Sequence, residues 1–235
     1  MRPYTVIRPG NHYPSRLPEY GDAPVVKLVT PRLFPARIGE YLIALPAGGG
    51  TVRPVAPGFE SFLYALDGEA VLRTGGAELP LGAGAYAYLP EERGYELAAG
   101  GAPARILLVK RRYEPTAGHV PPGPRHGHRE DQPWADTPVP GFRRRELLPV
   151  DEPAWDFAMS LLAFDAGVGL PNIEIHDEEH GLYMTAGGGD YHLDGDTHEV
   201  AEGDFIYMAP YCAQGFTARA PSEYLLYKDT WRDGY

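Results

Sequence analysis

Residues 42–84, LIALPAGGGTVRPVAPGFESFLYALDGEAVLRTGGAELPLGAG, and residues 161–203, LLAFDAGVGLPNIEIHDEEHGLYMTAGGGDYHLDGDTHEVAEG, are two copies of one pattern. They align at an offset of 119 residues with no gap, and eleven of the 43 pairs are identical. Leu42/Leu161, Ala44/Ala163, Ala47/Ala166, Glu60/Glu179, Leu63/Leu182 and Tyr64/Tyr183 are shared, as are Gly48/Gly167, Gly50/Gly169, Gly68/Gly187, Gly76/Gly195 and Gly84/Gly203. Glycines repeated in this way mark turns that other residues enter only at a cost. Between them lie short apolar runs, Tyr41–Leu45, Phe62–Leu66, Ala85–Leu89 and Arg105–Val109 in the first copy. Met159–Phe164, Leu182–Thr185, Asp204–Met208 and Tyr224–Tyr227 answer them in the second. Runs of strand length between turn residues predict a sandwich or barrel, built twice.

Working outward, the offset drifts by about a residue beyond Gly84. Gly84 to Pro90 answers Gly203 to Pro210, and Arg105–Lys110 answers Glu223–Lys228. The stretch Glu114–Gly141 holds seven prolines and four glycines and has no apolar period, so it reads as a linker or a surface strap. The expected division is a first barrel over 1–113, a linker over 114–141 and a second barrel over 142–235. His119, His126 and His128 fall in the linker; with no carboxylate or cysteine pattern beside them, they read as a solvated loop rather than a second metal site.

Gly and Pro together number 54 of 235 residues, too punctuated for a helical protein, and sixteen tyrosines suit half-buried pleated surfaces. The formal charge of −11 disfavours nucleic acid and anionic membranes as partners. A single cysteine, Cys212, excludes an intrachain disulfide and a multi-cysteine zinc site, and fits a reducing cytoplasm. No apolar stretch approaches the roughly 20 residues that span a bilayer, and none behind Met1 resembles a signal peptide.

The densest chemistry lies in Asn172-Ile-Glu-Ile-His-Asp-Glu-Glu-His-Gly181. Strand alternation would put Glu174 and His176 on one face, and His180 reaches the same point after a turn. One carboxylate and two imidazoles form a mixed oxygen and nitrogen set that suits Mn²⁺ or Fe²⁺. The positions aligned with Glu174, His176 and His180 in the first copy are Val55, Pro57 and Ser61, and Gly94 there answers Gln214, a poor set for any metal. One active barrel and one structural barrel are therefore expected.

The framing residues Gly169, Gly187, Gly203 and Pro210 resemble the two cupin motifs, with Glu174, His176 and His180 at ligand positions of the first and Gln214 at that of the second. The resemblance implies an all-β fold of two tandem cupin (double-stranded β-helix, jelly-roll) barrels. The run Glu179-His-Gly-Leu-Tyr-Met184, with Gly203-Asp-Phe-Ile206, Gln214 and Tyr224-Leu-Leu-Tyr-Lys-Asp229, is similar to the (S)-ureidoglycine aminohydrolase family. That family hydrolyses (S)-ureidoglycine to (S)-ureidoglycolate and ammonia in purine breakdown and uses Mn²⁺. Carried over by position, the metal ligands are Glu174, His176, His180 and Gln214, one ion per chain. The substrate contacts are Glu174, Tyr191, Tyr224 and Lys228, and Lys228 is the catalytic residue. A small-molecule substrate and a homo-oligomer are implied. The run Asp229-Thr-Trp-Arg-Asp233 departs from the family's pattern. Without the resemblance, the same residues also suit another metal-dependent bicupin, a dioxygenase or decarboxylase of a small organic acid, or a non-catalytic small-molecule-binding barrel.

Overall fold

The computed structural model describes residues 2–33 and 35–230. Positions 231–233 of the divergent C-terminal run lie outside the described residues. Among the described residues there is no α-helix, only strands, turns and three short 3-10 turns. No helix is long and apolar enough to cross a membrane.

The chain divides into two compact units, His12–Asp131 and a unit made of Met1–Asn11 with Gln132–Tyr235. Strand β1 (Tyr4–Ile7) opens the chain and belongs to the second unit. The first unit then runs through β2 (Pro14–Ser15), β3 (Val25–Val29), β4 (Gly39–Leu45), β5 (Glu60–Asp67), β6 (Glu69–Thr74), β7 (Ala77–Gly82), β8 (Ala85–Leu89), β9 (Glu96–Ala99), β10 (Ala104–Arg111) and β11 (Arg125–His128). The second resumes with β12 (Ala135–Asp136), β13 (Phe142–Leu148), β14 (Phe157–Phe164), β15 (His180–Ala186), β16 (Gly188–Leu193), β17 (Asp196–Ala201), β18 (Phe205–Met208), β19 (Gln214–Ala218) and β20 (Ser222–Asp229).

Each unit has one seven-stranded and one three-stranded antiparallel sheet. The large sheets are ordered β11-β8-β5-β10-β4-β3-β2 and β1-β18-β15-β20-β14-β13-β12, the small ones β7-β6-β9 and β17-β16-β19. The orders correspond strand for strand, so the repeat is structural throughout. Ile43, Leu63, Leu72, Leu81 and Ile106 pack inside the first unit, and Phe164, Leu182, Leu193, Ile206 and Phe216 inside the second. Gly68 and Gly187 hold the β5–β6 and β15–β16 turns at φ 71° and 69°. A side chain at either would strike the backbone carbonyl of Pro103 or Pro221, so the repeat keeps glycine there for two reasons.

Two expectations change. The division at 113 and 141 moves, because residues 1–11 complete the second unit and 125–128 the first: β1 pairs with β18 (Tyr4↔Met208) and β11 with β8 (His128↔Ala85). An edge strand is recruited by a partner far away in sequence, which no local pattern displays. The expected linker thus supplies a strand to each unit, β11 and β12. His126 and His128 place their Nε2 atoms 2.8 and 2.9 Å from the carbonyls of Pro80 and Ala83, so they tie down β11 instead of standing in a solvated loop.

Candidate metal and substrate site

The segment Asn172–Glu179 is not the strand that alternation suggested. It is irregular chain held first by a two-residue bridge in which Glu174 N donates to Gln214 O (2.8 Å) and Gln214 N to Glu174 O (2.9 Å). This bridge brings two of the four candidate ligands together through their backbones. A second tie holds His176, whose carbonyl accepts from Tyr211 N at 2.7 Å. Tyr211 sits at φ 63°, a left-handed conformation that a non-glycine residue keeps only when its surroundings impose it. His180 begins β15 and lies between Lys228 on β20 and Met208 on β18, its side chain turned to the barrel interior.

The four side chains converge. Gln214 Nε2 is 3.1 Å from His176 Nε2 and 3.5 Å from His180 Nδ1, so two ring nitrogens aim at one amide. The rings are 4.6 Å apart, and Glu174 Oε2 is 3.9 Å from His176 Nε2. Among the described residues no three His, Cys, Asp or Glu side chains are gathered to hold an ion. The cluster here is two imidazoles and an amide with a carboxylate at its rim. Turning the Gln214 amide exchanges its nitrogen for its oxygen and makes it a lone-pair donor beside the two ring nitrogens. Burial, then the neighbouring His176 and Lys228, holds the His180 imidazolium well below its usual range, which keeps that ring neutral and able to ligate. The donor set therefore fits a divalent cation of mixed oxygen and nitrogen preference.

Tyr191 and Tyr224 stand behind the cluster. Tyr191 OH donates to Gln214 Oε1 at 3.5 Å, and the two tyrosine hydroxyls bond to each other. Both are buried, and burial raises both phenols far above their ordinary value. Neither is among the residues lining the adjoining cavity, which is about 380 Å³ and bordered by Glu174, His180, Lys228, Ser160, Arg144 and Leu226.

Lys228 Nζ is 3.0 Å from Glu178 Oε1, and the other oxygen of Glu178 is 2.9 Å from His176 Nδ1. One nearly buried carboxylate thus links the lysine to a candidate ligand, a group the sequence reading passed over. So was the network that fixes this strand end. Tyr207 OH donates to Glu179 Oε2 (3.0 Å), Tyr227 OH to Asp229 Oδ1 (2.7 Å), and Glu179 N to Asp229 Oδ2 (3.4 Å). A signal for it existed: Glu60/Glu179 is the only charged pair among the eleven identities, and Tyr88 OH bonds Glu60 Oε2 at 2.9 Å in the first unit.

The first unit's equivalents are Val55, Pro57 and Ser61 as aligned, but Tyr95 in place of Gly94. Val55 bridges Tyr95 as Glu174 bridges Gln214. The offset of 119 persists through β9 and β19, where Ala70↔Ala99 matches Gly189↔Ala218. It shortens only before β10 and β20, where Ser61↔Lys110 matches His180↔Lys228.

A double barrel with one donor cluster defines a bicupin. Solved structures share its fold. Protein Ylba from Escherichia coli is 29% identical with a TM-score of 0.87, covering 99% of this chain and 93% of that one. A putative glyoxylate-induced protein from Pseudomonas aeruginosa is 25% identical with a TM-score of 0.89, covering 100% and 92%. Salicylate 1,2-dioxygenase from Pseudoaminobacter salicylatoxidans, at 11% identity and a TM-score of 0.73 over 97% and 81%, shares the fold alone. No family model matches. Among curated proteins, (S)-ureidoglycine aminohydrolase of Arabidopsis thaliana is 31% identical over 99% of this chain and 77% of its own length. (S)-Ureidoglycine aminohydrolase of Escherichia coli (strain K12) is 29% identical over 98% and 89%. The chain belongs to the (S)-ureidoglycine aminohydrolase family.

Proposed function

We propose that the second barrel hydrolyses (S)-ureidoglycine to (S)-ureidoglycolate and ammonia, with Glu174, His176, His180 and Gln214 holding one divalent cation, Mn²⁺ by preference. The observation that carries this is the convergence of two ring nitrogens on the Gln214 amide beside a cavity with a lysine in its wall. Family membership supplies the substrate. A bound cation contributes positive charge that anchors and polarises the substrate's carboxylate and ureido groups.

The remaining work falls to side chains of this chain. The carbon–nitrogen bond to the amine breaks, a water oxygen takes its place, and the departing nitrogen needs a proton. Lys228 Nζ faces the cavity and supplies it, regaining one from the incoming water. Glu178, at 3.0 Å, fixes the direction of that ammonium. Tyr191 and Tyr224 serve by holding the Gln214 amide, and Glu174, which would help hold the cation, borders the substrate space. Leu162, Phe142 and Leu226 add apolar surface to the same cavity. We place the enzyme in the cytoplasm, in keeping with its one buried, unpaired cysteine, and as a homo-oligomer.

Ureidoglycine loses ammonia unaided, so rate alone does not test the reading. The test generates ureidoglycine from allantoate with an allantoate amidohydrolase and adds this protein with Mn²⁺. Accumulation of (S)-ureidoglycolate of one hand is the expected result. A racemic product, formed no faster than without the protein, refutes it.

A further inference from the structure

The first barrel keeps the lysine and the Glu60 carboxylate, 3.7 Å from Arg111, but changes other charges around them. Lys110 occupies the position of Lys228, opposite Ser61 as Lys228 is opposite His180. Position by position, Asp156, Glu178 and Asp229 of the second barrel become Arg37, Phe59 and Arg111. The ammonium of Lys110 lies over the Phe59 ring at 4.9 Å, and the Arg112 guanidinium lies at 4.9 Å from the same ring. Among the described residues neither cation is paired with a carboxylate. Arg37 and Arg111 share Glu114 at 3.2 and 3.4 Å.

These groups border a cavity of about 510 Å³ with four cations and one carboxylate in its wall, in a chain whose net charge is −11. Pro31, Ala36, Tyr41 and Phe59 give it apolar sides. We propose that this cavity binds a small organic dicarboxylate, its carbon body against Phe59 and Ala36 and its carboxylates on Lys110 and Arg112. Lys110, half-buried against apolar walls, gains from an anion, and Arg112 adds a second cation at the exposed rim. An aliphatic diacid meets both the charge and the apolar surface, which bare phosphate does not. Burial already lowers the Lys110 ammonium's proton affinity, and a bound anion opposes that shift.

The experiment is calorimetric titration of the purified full-length protein with succinate, repeated on Lys110→Met, Arg112→Gln and Lys228→Met. Succinate is expected to bind, and each first-barrel substitution to weaken it about tenfold, the usual cost of one charge-assisted hydrogen bond. Lys228→Met is expected to leave it unchanged. Arg112 is exposed, so its substitution reports on binding even if Lys110→Met misfolds. No heat of binding overturns the proposal. So does binding that ignores both first-barrel substitutions or is lost in Lys228→Met. Inorganic phosphate binding more tightly than succinate overturns the assignment to an organic diacid.

Discussion

At the centre of the first barrel, Tyr95 fills the space and its hydroxyl meets that of Tyr20 at 2.9 Å, both rings buried. At the same level of the second barrel, Gln214 turns its amide toward two imidazoles. The backbone is alike in both places, a lone antiparallel bridge from Val55 or from Glu174. The frame therefore does not depend on the polar cluster. Val55 and Tyr95 show that an apolar filling closes the same barrel, so His176, His180 and Gln214 are not there to close it. A polar set kept where the fold does not need it is the physical mark of a binding centre.

That contrast breaks first under His176→Ala. Wild-type protein is expected to carry one divalent ion per chain, and the variant none, with stereospecific turnover falling to background and circular dichroism unchanged. Two ions per chain by elemental analysis would mean that the first barrel also binds metal. An unfolded variant would make the cluster structural after all.

Next in size is Lys228→Met, which keeps the aliphatic stem and removes the ammonium. Turnover is expected to fall by roughly 10²-fold, within the usual reach of acid–base catalysis, with the ion retained. Normal turnover to product of a single hand would leave Lys228 a strand-end residue.

Glu40 tests the first barrel. Its carboxyl is fully buried on β4 with one oxygen unpartnered, and burial pushes it from 4.5 up to about 8. The folded chain holds a proton that the unfolded chain releases. Stability is thus complete below the unfolded value and falls as pH rises toward 8, by up to about 1.4 kcal/mol per pH unit. Glu40→Gln is expected to flatten the dependence of Tm on pH between about 5 and 8. An unchanged slope would show that the carboxyl is not the source.

The smallest effect belongs to Tyr95→Phe. Losing the hydroxyl leaves Tyr20 without its partner and is expected to lower stability by about 1 kcal/mol in denaturant unfolding. Turnover is expected to stay the same; a drop would tie the filled barrel to the chemistry of the other.

The sequence carried the repeat, the strand runs between glycines and the residues His176, His180 and Gln214 that meet in the structure, because turn glycines and polar side chains of this kind are local and chemically distinctive. It did not carry Glu178, an ordinary acidic residue until folding sets it between Lys228 and His176. It misplaced Gly94 for Tyr95, since the one-residue difference lies in the loop before β10 and β20, beyond where spacing alone put it. The irregular course of Asn172–Glu179 was also hidden: Glu174 and His176 are alternate residues, but only Glu174 is bridged. The pairing of β1 with β18 rests on a backbone partner some 200 positions away.

That last pairing bears on how the protein is made. Tyr4–Ile7 leaves the ribosome some 200 residues ahead of its partner Phe205–Met208. At about 5–20 residues per second, the opening strand waits roughly 10–40 s with its hydrogen-bonding groups unclaimed. The whole of the first unit is translated in that interval and has its own late strand, β11, available before β12 appears. A nascent chain stalled near residue 131 thus holds one closable barrel and one unmatched strand, the sort of edge that invites another chain or a chaperone.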